Sequence, residues 1–326
     1  MSKKFLAFLI LLIGLSTIFI ITQRPLERAK IASEILDQDP LLEKRDEITL
    51  YFVGDIMLDR RVGEVMERKS DYTFPFLKIK KELNKADILF GNLESMISKE
   101  GYRQGSIYSF RADPRSIEGL TLAGFDLLSL SNNHSFDYGV NALMDTKRRL
   151  EEVDIVPLGA GLKEEAYSPY LMEKKGTTFA FLAYTLLGAP GWEAKESVPG
   201  ISWYREDLMK EGIEEAKEKG ADLIIISFHY GEEYQKEPSS SQKEVSKIAI
   251  DAGADIIIGH HPHVIQPVAY YKEGLIAYSL GNFVFDQDFS KETMEGLLLK
   301  IKVREKEIKE VEEKIIKINH LFQPEI

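Results

Sequence analysis

Five of the six histidines in this chain fall in three short segments, each directly behind an apolar, strand-like run: His134 in SNNHSFDYG, His229 in ISFHYG, and His260, His261 and His263 in GHHPH. Two carboxylates hold equivalent places earlier, Asp55 after ITLYFVG and Glu94 after ADILFGN. Polar donors delivered at the ends of successive buried strands constrain the fold strongly. They point to an α/β protein whose strands open onto one cleft at their C-terminal ends, where such sheets gather ligands. Imidazoles, carboxylates and an Asn collected there form the donor set of a metal centre.

The intervening sequence agrees with this reading. Helical runs near Val62–Lys69, Pro114–Ala123, Val140–Glu152, Arg205–Lys219 and Ser240–Ala252 separate the strand-like runs ITLYFVG, ADILFGN, DLLSLS, DIVPLG, TTFAFLAYT, ADLIIISFH and ADIIIGH. This is the rhythm of a parallel or mixed sheet covered by helices. Beyond GHHPH the pattern changes. LIAYSLGN, GLLLKIKVRE and EIKEVEEKIIKI have no helix between them and are expected to be antiparallel, with Lys300–Lys317 forming a charged edge hairpin. The stretch Gly188–Tyr204, with Trp192, Trp203 and Tyr204, reads either as a helical insert lining a pocket or as a loop packing its aromatics onto the domain.

Phe5–Thr22 is an uncharged apolar run of 18 residues. As a helix it would be about 27 Å long, close to one hydrocarbon thickness. Lys3 and Lys4 precede it, which keeps the N-terminus cytoplasmic and sends the remainder outside. A cleaved signal peptide is the rival, but Ile-Ile-Thr-Gln-Arg is a poor cleavage site. The expected organisation is a cytoplasmic tip and transmembrane anchor over 1–22, a polar stalk over 23–45, and a folded domain over 46–326. The expected location is therefore the cell membrane, single-pass, with the domain extracytoplasmic. With no cysteine, disulfides and thiolate ligands are excluded. The net charge of −11 argues against a nucleic-acid partner, which favours a basic face. An anionic substrate would have to be drawn by local charge, such as bound cations.

Each candidate has a plainer reading when taken alone. Asp55 and Glu94 could cap helices. Asn133, His134 and Asp137 could form the turn into the helix at Val140, and His229 could be a core histidine. Read together, Asp55 and Glu94 are hard oxygen ligands, one of them able to bridge two cations. Asn133 offers a neutral carbonyl ligand, and Asp137 stands where it can orient the His134 imidazole. His261 and His263 form a His-x-His pair stiffened by Pro262. His260 is expected to support a ligand or to contact substrate. Arg60, with Arg61 and Arg111, is an expected contact for an anionic substrate, although each also reads as a surface residue.

The order Asp55, Asn92-Leu-Glu94, Asn133-His134, His229, His261-x-His263 resembles that of the calcineurin-like metallophosphoesterases. SNNHSFDYG is similar to the GNHEFDYG segment of 5′-nucleotidases. The fuller set GDIMLDRR, FGNLES, SLSNNHSFDYG, SFHYGEEY, GADIIIGHHPHVIQP and YSLGNFVFDQ, spanning roughly Ile48–Asp288, resembles the CapA/PgsA-type poly-γ-glutamate capsule synthesis proteins. That resemblance implies an α/β four-layer α/β/β/α sandwich with mixed sheets, behind an N-terminal transmembrane helix. It implies two divalent metal ions, Mn, Fe or Zn: Asp55 and His263 on the first, Asn133, His229 and His261 on the second, and Glu94 bridging. His134 would be the general acid or transition-state stabiliser, with Asp137 behind it. The implied partners are an anionic polymer or phosphoester substrate and polymer synthase subunits.

One position departs from the superfamily pattern. Met57 stands where His is usual, and a thioether suits an oxygen-rich site poorly. Unless Asp59 or a neighbour substitutes, this permits a one-metal centre, or a site that binds without turning over, beside the two-metal expectation. Three functions are open on this reading: a hydrolase of poly-γ-glutamate biosynthesis, a general extracytoplasmic phosphoesterase or 5′-nucleotidase-like enzyme, and a non-catalytic scaffold of polymer assembly.

Overall fold

The computed structural model describes residues 47–326, so the expected tip, anchor, stalk and domain start at residue 46 lie outside the described residues. Among the described residues no helix is long and apolar enough to cross a membrane.

Strands β1 (Ile48–Ile56), β2 (Ile88–Leu93), β3 (Leu127–Ser129) and β4 (Val156–Leu158) run parallel in that order. Two further strands, β5 (Tyr170–Lys174) and β6 (Thr177–Thr185), form a hairpin that begins a second sheet. That sheet continues in parallel through β7 (Leu223–His229) and β8 (Ile256–His260). Its far side is the hairpin of β9 (Val268–Tyr271) and β10 (Gly274–Ala277). The chain then returns to the first sheet with β11 (Asn282–Val284), β12 (Glu295–Arg304), β13 (Glu307–Ile318) and the short β14 (Pro324–Glu325). Both sheets are mixed.

Side-chain alternation along the strands sorts the core into layers. Leu50, Phe52, Phe90 and Leu127 of the first sheet meet Phe181, Ile225 and Ile258 of the second in one buried cluster. Tyr51, Val53, Leu89 and Leu128 face the other way. They pack on helices α1 (Arg60–Lys69), α2 (Ile117–Ala123) and α3 (Val140–Glu151). Ala180, Leu182, Ile224 and Ile257 pack on α4 (Glu206–Glu218) and α5 (Ser240–Ala252). The last helix is closed at both ends. Ser239 and Gln242 cap its first turn reciprocally, and Gly253 turns left-handed behind it.

One expectation about the C-terminal strands is corrected. LIAYSLGN does not join the antiparallel strands that follow it: β10 lies between β9, to which it is antiparallel, and β8, to which it is parallel, and β11 crosses over to lie parallel beside β1. The crossing depends on backbone contact. The Asp55 N–H donates to the Gly281 carbonyl at 3.0 Å, and a Cβ on Gly54 would sit 1.9 Å from that oxygen. The charged hairpin forms as expected: β13 pairs antiparallel with β12 near the edge of the sheet and is mostly exposed, while β12, between β1 and β13, is largely buried. Lys300, although buried, donates to Glu82 at 2.8 Å.

The Glu82–Lys300 contact predicts an acid-sensitive increment of stability. Burial opposes the Glu82 charge, but Lys300 and Lys85 outweigh it and bring its pKa down to about 2. A depressed carboxylate contributes fully above its unfolded pKa and loses that contribution as pH falls through the folded value. Thermal melts should therefore show Lys300→Met less stable than wild type by about 1 kcal/mol at pH 6, after allowance for solvent screening. The gap should close on approaching pH 2. A gap that stays constant with pH would show that the ion pair carries none of it.

Candidate metal centre

The parallel strands deliver their donors at one end. Asp55 lies near the end of β1, Glu94 one residue beyond β2, Asn133 to Asp137 in the turn after β3, His229 at the end of β7, and His261 and His263 just beyond β8. Strict alternation would turn Asp55 to the helical face with Tyr51 and Val53. A register irregularity between Phe52 and Asp55 reverses that parity and turns it into the cleft.

Asp55 is flanked in register by Asn92 of β2 and Asn282 of β11. Asn92 Nδ2 donates to Asp55 Oδ1 at 2.8 Å, and the His261 N–H donates to Asp55 Oδ2 at 3.2 Å. Burial opposes charge on Asp55, but His260 and His263 outweigh it and hold the carboxyl well below the usual carboxylate range. The amide of Asn282 is oriented by donating to Gln287 and to the Thr293 carbonyl, which leaves its Oδ1 to accept from His263 Nδ1 at 3.0 Å. With its proton held at Nδ1, His263 turns a lone pair at Nε2 toward Glu94 Oε1, 3.7 Å away.

Glu94 is fully buried, and neither carboxylate oxygen has a hydrogen-bond partner. An isolated buried carboxylate costs several kcal/mol. Burial, with Asp55, Glu233 and Asp137 nearby, accordingly pushes its pKa well above the usual range in the absence of metal. A lone pair of His263 facing an unpartnered carboxylate is an arrangement that a cation satisfies. Two donor groups meet at this residue, Asp55–Glu94–His263 and Glu94–His229–His261, each with one atom per residue within 4.8 Å of the others. A third group joins Glu233 to His261 and His263.

On the second side, His229 Nδ1 faces Asn92 Nδ2 at 3.3 Å and accepts, so Nε2–H donates to Asn133 Oδ1 at 2.7 Å. Burial keeps His229 neutral, well below its ordinary pKa. His261 is held down to about 3, by burial first and then by His263. Both imidazoles are thus neutral, and His229 becomes a ligand once the Nε2 proton it now gives to Asn133 is displaced. The backbone is left-handed at His261 (φ 98°) and at His263 (φ 57°), strain of the kind found where function dictates geometry.

His134 Nδ1 donates to Asp137 Oδ2 at 2.8 Å, and the imidazole lies against Phe110, ring centroids 4.2 Å apart. Its Nε2 faces the centre, 3.7 Å from Glu94 Oε1. Asp137 Oδ2 also accepts the Phe110 N–H at 2.7 Å, so one carboxylate holds both rings.

His260 has no exposed surface and lies in the column of Ile256 and Ile258, with Nδ1 3.4 Å from Asp55 Oδ1. Of its two expected roles, this placement fits support of the ligand Asp55. Arg60 stands at the rim, already paired with the buried Asp286 and stacked over Phe110. Asp59 belongs to none of the donor groups among the described residues, and its Oδ2 accepts the Arg111 N–H at 2.7 Å. Met57 is buried in the core, its sulfur accepting the Asp59 N–H at 3.1 Å. The Gly188–Tyr204 stretch holds a single short 3₁₀ turn, Pro190–Trp192. Trp192 stacks on Phe136 at 5.2 Å, so its ring packs onto the domain.

The sequence reading gave no role to Asn282 and did not single out Glu233. Asn92 stood only in the motif order, and its contacts with Asp55 and His229 were not foreseen. The repeated Gly-Asn pairs, Gly91-Asn92 and Gly281-Asn282, were the available signal for the two amides.

A model of the family described as bacterial capsule synthesis protein PGA_cap matches residues 49–287. The chain is 36% identical over 275 residues to a capsule biosynthesis protein CapA of Bacillus anthracis, covering 80% of this chain and 65% of that one. It is 35% identical over 251 residues to a PGA biosynthesis protein CapA of Bacillus subtilis, covering 76% and 65%. These matches span just under two thirds of each relative's length. Among solved structures, a candidate 5′-nucleotidase from Staphylococcus aureus superposes with a TM-score of 0.50 at 16% identity. It covers 83% of this chain and 54% of that one, a likeness of fold.

Proposed function

The chain belongs to the bacterial capsule synthesis protein family PGA_cap, and from that premise we propose that it is a metal-dependent hydrolase acting in the assembly of a poly-γ-glutamate surface polymer. The observation that carries the metal-dependent part is Glu94, a fully buried carboxylate with two unpartnered oxygens where two donor groups meet. The process comes from the family and from relatives whose names are those of capsule and PGA biosynthesis proteins. The remaining elements of the proposal are the Phe5–Thr22 anchor, an extracytoplasmic domain, an anionic polymer or phosphoester substrate, and polymer synthase subunits as partners.

Asp55, Glu94 and His263 would hold one divalent cation, Mn, Fe or Zn, and Asn133, His229 and His261 with Glu94 a second. When bound, such cations supply Lewis-acid polarisation and a more acidic water. The chain's own residues do the rest. Asn92 and Asn282 fix Asp55 and His263, so these two donors stand in place for a cation. Asp137 holds the Nδ1 proton of His134, and it is a second proton, carried on the Nε2 turned to the centre, that passes to the departing group. Phe110 covers the imidazole and keeps water from its face.

A second reading, binding without turnover, is favoured by Met57, which leaves the first donor group with three residues. One experiment separates the two. The detergent-solubilised full chain, loaded in turn with Mn, Fe and Zn, is assayed for metal content and for phosphomonoester, phosphodiester and γ-glutamyl hydrolysis. The hydrolase is expected to hold close to two cations and to cleave one of these bonds. A loaded but inert protein would leave the binding role, and a protein that takes up no metal would sink both.

A further inference from the structure

We propose that Glu233 is a metal ligand, a carboxylate that closes the open side of the centre and supplies the donor that Met57 does not. The inference rests on the metal-centre reading above and extends it to a residue outside the expected ligand set.

Glu233 is exposed, in the loop between β7 and α5, yet it is not a free surface acid in its placement. Its carboxylate groups with His261 and His263, one ligand atom of each lying within 4.8 Å of the others. The loop is tied down immediately after it. The N–H of the next residue, Tyr234, donates to the Pro262 carbonyl at 2.8 Å, and Pro262 is the residue between the two histidines. Gln266, itself buried, donates to the Gln235 carbonyl at 2.8 Å, and Gln287 donates to the Tyr234 hydroxyl at 3.2 Å. The histidine turn and the Glu233 loop are therefore held to one another through the backbone.

Independent of Glu233, a buried ring nitrogen of its neighbour His261 lacks a partner. His261 is more than nine-tenths buried, and its Nδ1 makes no hydrogen bond. His261 belongs to the Glu94–His229 group and His263 to the Asp55–Glu94 group. A donor that reaches both spans the two groups from the solvent side, as Glu94 spans them from the buried side. The other carboxylate near the vacant ligand position, Asp59, is engaged by the Arg111 N–H, and the Met57 sulfur by the Asp59 N–H. A hard oxygen donor is what an Mn- or Fe-type centre with too few ligands takes.

The test uses the full chain stripped with chelator and titrated with Mn2+, comparing wild type, Glu233→Gln and Glu232→Gln. Binding is followed by calorimetry and by the paramagnetic resonance of bound Mn. Wild type and Glu232→Gln are expected to bind alike, while Glu233→Gln binds at least one Mn tenfold or more weakly, the lower bound for losing even a supporting partner of a ligand. Equal melting temperatures of the metal-free forms would show that the fold is intact. If Glu233→Gln binds Mn as Glu232→Gln does, the proposal fails and the metal centre stands. If wild type binds no Mn, the centre itself fails and the proposal with it.

Discussion

Glu94→Gln is expected to abolish tight binding of both cations and yet to melt several degrees higher than wild type when both are metal-free. Glu94 is buried with two orphaned oxygens, and Asp55 and Asp137 add to its burden. An amide of the same shape removes the charge, which relieves about 1–3 kcal/mol even though its own polar atoms remain unpartnered. In a domain of this size that corresponds to several degrees. With Mn at roughly 100 times its dissociation constant, wild type should gain about 2.7 kcal/mol and the variant nothing, so the order of stabilities reverses. Calorimetric melts with and without metal would read this directly. A metal-free variant less stable than wild type would mean that Glu94 has a partner in solution and is not waiting for a cation.

The second large effect concerns His134. Whichever bond is cleaved, His134→Ala should lower turnover roughly 100- to 10,000-fold, the span of a lost general acid. Metal content should stay unchanged, because His134 belongs to none of the three donor groups. Asp137→Asn should act in the same direction but less strongly, leaving the imidazole in place with its orientation and tautomer less well fixed. Asp137 also holds the Phe110 N–H, so part of that loss should appear as weaker substrate binding. Turnover in His134→Ala within a few-fold of wild type would remove the proton-delivery role.

Much of this site was legible because parallel strands must place their following loops at one end. Asp55, Glu94, His229 and His261 could be picked out from that rule without knowing the sheet order. His260 kept two readings for a local reason. It is the last residue of β8 and keeps the alternation of Ile256 and Ile258, whereas the backbone leaves the strand at His261 with φ 98°. No composition rule marks that break. The Asp55 parity was hidden in the same way by the irregularity after Phe52. The switch of chain direction after β10 was illegible because it rests on a close approach of two glycine backbones, Gly54 and Gly281. Glu233 escaped notice because a glutamate in a polar loop is the ordinary case. Only the tie from Tyr234 to Pro262 gives it a direction.

The strand order has a consequence for how the molecule is made. Asp55 has one register neighbour in β11, β12 flanks Ile48–Phe52 of the same strand, and the Asp55 Oδ2 is met by the N–H of a residue 206 positions later. A chain synthesised from its N-terminus therefore exposes its first ligand long before the amide rung and the strand that fix it exist. The central strand β1 has an open flank until β12 arrives, and such pairings between distant segments form slowly. The full donor set comes into being near the end of synthesis, so the metal supply that matters is the one in the compartment where folding finishes.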